Sequence, residues 1–99
     1  MKTTAYSWDE VTCELFEIDL DLPDGLDDGD ALLLADAKLT QDCGGELPTL
    51  ERKLRTEGGV LVVDALFGQF KVCRTYLHRT DPAKAKALAE GELEAYLED

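Results

Sequence analysis

With 99 residues and 44% hydrophobic composition, the chain can bury one core and is too short for two, so one domain spanning 1–99 is expected. A formal charge of −12 speaks against direct binding to nucleic acid or to an anionic membrane, both of which need basic surface, and favours a basic partner. The opening MKTTAYSWDE lacks the apolar run of a signal peptide, and no stretch approaches the roughly 18 apolar residues of a membrane span, so a soluble, cytoplasmic protein is the expectation.

The charge is regional. Residues 1–50 hold thirteen acids against two lysines, Lys2 and Lys38, whereas residues 51–99 hold nine acids against eight bases. From Asp9 to Asp30 there are ten acids and no base. A salt-adapted composition would spread its acids over the whole surface; this one does not.

ELFEIDLDLP alternates, with Phe16, Ile18, Leu20 and Leu22 on one side and Glu17, Asp19 and Asp21 on the other, which predicts a half-buried strand over Val11–Leu22. A rival pattern exists: Ser7-Trp8-Asp9-Glu10 fits a capping box, and Trp8, Val11, Leu15, Ile18 and Leu22 repeat at helical spacing. Asp19 and Asp21 are poor interior helix residues, while Val11, Thr12, Phe16 and Ile18 suit a strand, and the strand is preferred.

DLPDGLDDGD then reads as a turn, with Pro23-Asp24-Gly25 and Gly29 supplying the bends. The following DALLLADAKLTQD favours helix by propensity, but its place after a Pro/Gly-rich loop predicts the return strand of a hairpin, Ala31–Gln41, with the acidic loop as its crest. CGGELP is a break. PTLERKLRTEGG predicts a short helix from Pro48 to a stop at Gly58-Gly59, carrying the basic trio Arg52, Lys53 and Arg55. VLVVDALF and FKVCRTYLH predict a hairpin about Gly68-Gln69. Asp81 and Pro82 open a C-terminal helix whose Ala85, Ala89, Leu93, Tyr96 and Leu97 form one apolar stripe. Its lysines sit near the start and its glutamates near the end, against the helix macrodipole, so its last turn needs an anchor. Together these elements predict an α+β fold: about four strands, mainly antiparallel, with the C-terminal helix packed on one face.

The acidic loop fails as an EF-hand, since aligning Gly29 to the loop glycine puts Leu26 and Ala35 at ligand positions, and aligning Gly25 puts Leu20 there. Cys13, Cys43, Cys73 and His78 could total four zinc ligands, but no pair has the spacing of roughly two to four residues that marks such a site. Odd in number and widely spaced, the cysteines are expected to be reduced. Cys73 and His78 lie five apart on one strand and so face opposite sides, which excludes a nucleophile–base pair. Asp64, embedded in an apolar run, is the one faint candidate for a pocket acid, with a solvated strand face the preferred reading. No metal, cofactor or enzymatic activity is expected.

What remains is the acidic surface. Outward side chains of a strand repeat every ~6.8 Å, so Glu17, Asp19 and Asp21 would form a row about 13 Å long, extended by Glu14, Asp24, Asp27, Asp28 and Asp30. The ordinary reading is a wet outer face that keeps a strand edge unpaired. The sharper reading is a nucleic-acid mimic that blocks the Lys/Arg groove of a nucleic-acid-binding protein, with Trp8, Tyr6 and Tyr76 as candidate apolar anchors, although core or sheet-face packing is the preferred reading of each because large aromatics are mostly buried. In size and acidity the chain resembles phage-encoded counter-defence proteins, anti-CRISPR and anti-restriction inhibitors among them; the resemblance is one of general character and implies a host-cytoplasmic inhibitor. The alternative is a structural or assembly subunit of a virion or multiprotein complex.

Overall fold

Aromatic and β-branched residues in the first nine positions and again between Val60 and Leu77 build the centre of a five-stranded antiparallel sheet, with a helix on each face. The computed structural model describes residues 2–10, 13–42, 51–67 and 70–98. In chain order the elements are β1 (Lys2–Asp9), β2 (Leu15–Asp21), α1 (Asp28–Asp42), β3 (Glu51–Glu57), β4 (Val60–Phe67), β5 (Phe70–Leu77) and α2 (Pro82–Glu98). The strands lie in the order β2-β1-β5-β4-β3, which among the described residues leaves β2 and β3 at the two edges. The α+β class is as expected, with five strands rather than about four.

The core is split by the sheet. Ala5, Ile18, Leu20, Leu61, Val63 and Leu77 meet Ala31, Leu32 and Ala35 of α1 on one face. Tyr6, Trp8, Val60, Val62 and Tyr76 meet Ala85 and Ala89 of α2 on the other. Large rings on the sheet face small residues one helical turn apart on α2, so this helix can approach the strands closely.

β1 was not foreseen. It lies between β2 and β5 and is buried on both faces, yet it contains Thr3 and Ser7, which dilute the apolar signal. Both hydroxyls are satisfied: Thr3 Oγ1 donates to the His78 carbonyl at 3.1 Å and Ser7 Oγ to the Arg74 carbonyl at 3.1 Å. The pairing of β1 with β2 sets Ala5 opposite Ile18 and Tyr6 opposite Glu17. Over the described part of the segment the strand reading holds against its helical rival, with β2 starting at Leu15; Val11 and Thr12 lie outside the described residues.

Ala31–Gln41 is helix, not the return strand of a hairpin. Alanine and leucine content favours helix there, and Asp27 supplies the start: its Oδ1 accepts from the Asp30 N–H at 2.8 Å and its carbonyl from the Ala31 N–H at 2.9 Å. Asp28 and Asp30 in the first turn complement the helix dipole. The acidic loop is therefore a helix entrance rather than a hairpin crest. Asp27→Ala is expected to cost about 1 kcal/mol of stability, measured by urea denaturation. No change would mean that the Leu-rich segment forms helix without its cap.

The short helix expected from Pro48 is replaced over 51–57 by strand β3; positions 43–50 lie outside the described residues. Gly58 and Gly59, read as a helix stop, both take positive φ, 57° and 82°, and close a two-residue turn between β3 and β4, the conformation that twists correctly for a hairpin and that two glycines permit. The basic trio consequently lies along a sheet edge. β4 and β5 pair as expected, with a register shift between Ala65 and Leu66; Gly68 and Gln69 lie outside the described residues. The C-terminal helix runs from Pro82 as expected.

Candidate functional site

All eight acids of the expected surface, Glu14, Glu17, Asp19, Asp21, Asp24, Asp27, Asp28 and Asp30, are exposed. They fall into two groups. Glu17, Asp19 and Asp21 alternate with buried Ile18 and Leu20 along edge strand β2 and stand on the side of the sheet that carries α2. Asp24, Asp27, Asp28 and Asp30 follow on the turn and first helical turn of α1, on the opposite side. Glu14 precedes β2.

The first group keeps its carboxylates largely toward solvent. Asp19 Oδ1 accepts from the Thr4 hydroxyl at 3.3 Å. Lys2 sits opposite Asp21 in the β1–β2 register, and Lys38 of α1 donates to the backbone carbonyl of Asp19. Both lysines of the acidic half thus flank this row, lining a shallow groove with Thr4, Asp19, Leu20 and Asp21. In the second group Asp27 caps α1, and Asp28 pairs with Arg79 at 3.0 Å. Neighbouring lysines and the Arg79 pair are long-range features that periodicity could not reveal.

Trp8, Tyr6 and Tyr76 are buried in the α2-side core, the preferred of their two readings, so none is a surface anchor. Among the described residues the large apolar side chains that reach solvent are Leu33, Leu34, Leu54, Tyr96 and Leu97. Asp64 does not lie on a solvated face: its side chain is 14% exposed and ion-paired with Arg74 beneath α2.

Asp64 belongs to a polar cluster assembled from five elements. Arg74 also reaches Glu92 Oε1 at 3.4 Å, and its guanidinium lies 5.6 Å from the Trp8 ring centroid. Glu92 accepts two bonds from Arg55 Nη2, at 2.7 and 3.0 Å, and one from the Tyr76 hydroxyl at 2.9 Å. Trp8 Nε1 donates to the same hydroxyl at 3.0 Å. This is the anchor that α2 needs, since its own charges oppose its dipole. Tyr96 adds to it, its ring 5.3 Å from that of Trp8 and its hydroxyl donating to the Glu10 carbonyl at 3.3 Å. Burial works against the Arg74 charge, but the hydrogen bond and charge of Asp64 outweigh it and hold the guanidinium protonated beyond its ordinary range. Among the described residues no buried side-chain nitrogen or oxygen lacks a hydrogen-bond partner, so the cluster reads as packing.

Burial pushes the Tyr76 hydroxyl well above the ordinary phenol range; the Trp8 hydrogen bond opposes this and the Glu92 charge adds to it. The folded state therefore favours the neutral phenol, and its contribution to stability is intact below pH 10.0, the ordinary value, and lost progressively above it. In an alkaline titration followed by tyrosinate absorbance, Tyr76 should ionise only as the chain unfolds, so Tyr76→Phe should reduce the absorbance change that accompanies unfolding. A folded-state ionisation that Tyr76→Phe removes would contradict this.

Cys13 is half-buried and Cys73 buried; Cys43 lies outside the described residues. Cys73 packs in the α1-side core, while His78 Nδ1 accepts from the Asp81 N–H at 2.9 Å at the start of α2. Among the described residues no three His, Cys, Asp or Glu side chains converge as a metal site would require, and no helix is long and apolar enough to cross a membrane. No family model, curated protein or solved structure matches the chain.

Proposed function

We propose that this chain is a small acidic inhibitor that occupies the positively charged groove of a nucleic-acid-binding protein, its carboxylates standing where phosphates would bind. The reading is of a binding protein rather than an enzyme, acting in the cytoplasm, in the manner of phage counter-defence inhibitors. The observation that supports it is the exposure of Glu17, Asp19 and Asp21 on one face of an edge strand. At ~6.8 Å intervals such a row is sparser than duplex DNA, which carries a charge every ~1.7 Å of axis, but it keeps one sign. Opposite charge would steer and speed encounter, and apolar contacts would set specificity.

The test is charge reversal of Glu17, Asp19, Asp21 and Asp24 to lysine. Asp27 and Asp28 are left intact because they support the start of α1. Proteins retained from host lysate by the immobilised chain and released by heparin are purified and remeasured one by one. A variant with unchanged circular dichroism should bind them at least about tenfold more weakly, or 1.4 kcal/mol. Unchanged affinity would refute the proposal.

A further inference from the structure

Among the described residues β2 has a strand neighbour on one side only. The Lys38 ammonium reaches the Asp19 carbonyl from α1, which gives the direction of that carbonyl: away from β1. In an antiparallel ladder the N–H and C=O of one residue point the same way, and the direction alternates along the strand. The backbone groups of Glu17 and Asp19 thus form the outer edge of the sheet, while those of Phe16, Ile18 and Leu20 face β1. Such an edge is a template for an added strand.

The two surfaces beside that edge differ in chemistry. On the α2 side stand the carboxylates of Glu17, Asp19 and Asp21. On the α1 side runs a groove lined by Leu20, Asp21, Leu34, Ala37 and Lys38, in which Leu34 is 43% exposed. Successive side chains of an added strand would point alternately to these two surfaces. We propose that the β2 edge takes an extended partner segment in which lysine or arginine alternates with an aliphatic residue, joining the five-stranded sheet as one more strand. Basic side chains would lie against the carboxylates, and aliphatic ones would enter the Leu34 groove. Lys38 holds the edge in the free protein and leaves when the segment binds. This rests on the reading of the acidic edge as the partner surface, and it names the partner's chemistry.

A second copy is the competing occupant, because edge strand β3 carries Lys53-Leu54-Arg55. Arg55, however, is engaged by Glu57 and Glu92, and copies that each carry −12 repel one another.

The probes are a short peptide of strictly alternating lysine and valine and a peptide of the same composition with its lysines in one block. The alternating peptide should bind at least about tenfold more tightly and slow hydrogen exchange at the Glu17 and Asp19 amides. Leu34→Asp should abolish its advantage, and Lys38→Ala should enlarge it, with circular dichroism confirming both folds. Equal binding of the two peptides, or binding of neither, would overturn strand addition. If both were lost on charge reversal of Glu17, Asp19 and Asp21, the acidic edge would still stand as the partner surface; binding indifferent to that reversal would overturn both readings. Sedimentation showing self-assembly that requires Lys53 and Leu34 would replace the foreign segment with a second copy and overturn the proposal.

Discussion

Arg74→Ala is expected to destabilise the fold by about 3 kcal/mol, near the lower end of the range for breaking a buried ion pair. Its side chain and that of Asp64 are 15% and 14% exposed, so a little water reaches the pair and the full buried penalty does not apply. Removing the guanidinium leaves Asp64 and Glu92 without the cation between them and uncovers the Trp8 ring. Glu92 keeps Arg55 and Tyr76, so much of the cost is that of stranding Asp64, and removing both charges of the Arg74–Asp64 pair should hurt less than removing one. Arg74→Met with Asp64→Leu should recover most of the loss in urea denaturation. A cost under about 1 kcal/mol for Arg74→Ala would mean that the cluster is solvated and does not hold α2.

Trp8→Ala should cost about 3–5 kcal/mol. Trp8 is 1% exposed, and its loss opens a cavity between β1 and α2. It also removes the donor to the Tyr76 hydroxyl and the ring against which Tyr96 packs. Trp8→Phe is the milder change, because it keeps an aromatic ring in the core while removing the N–H and the volume of one of the two fused rings. That change should cost about 1–2 kcal/mol. Circular dichroism is the measurement, since Trp8 is the only tryptophan and its fluorescence vanishes with it. For Arg74→Ala the same fluorescence is a direct probe of unfolding. The two substitutions share contacts, so their effects should not add.

How far the sequence carried this architecture depended on whether a segment's burial matched its local pattern. β2, β4 and β5 were legible because apolar or β-branched residues fall at the strand period, and α2 because Asp81-Pro82 opens an apolar stripe. β1 was hidden by Thr3 and Ser7, polar residues that a two-sided core accepts once their hydroxyls are bonded. In α1 helix propensity outweighs the hairpin pattern, and the signal for it is Asp27 three positions before Asp30, whose N–H it caps. β3 lies almost wholly in solvent, so its strand period carries no apolar signal, and the two glycines that build its turn resemble a helix stop.

The acids themselves were legible as exposed, since alternation alone puts Glu17, Asp19 and Asp21 opposite Ile18 and Leu20. Their neighbours were not. Lys38 reaches Asp19 from another element; Asp64 and Arg74 are register partners in the β4–β5 hairpin, and Glu92 joins them and Tyr76 because α2 crosses those strands. The contacts made by Lys38 and Glu92 belong to the tertiary fold, and no local spacing encodes them. They also moved the apolar candidates: the aromatic residues once available as anchors are core, and Leu33 and Leu34 of α1 are the exposed residues nearest the acidic edge in sequence.

The central claim is that the acidic edge competes with nucleic acid for a basic groove. The direct measurement is fluorescence anisotropy of a labelled polynucleotide bound to the purified partner, titrated with this chain at low and high salt. Full, competitive displacement that weakens steeply as salt rises is predicted. A ternary complex, or displacement that ignores both salt and the charge reversal of Glu17, Asp19, Asp21 and Asp24, would contradict it.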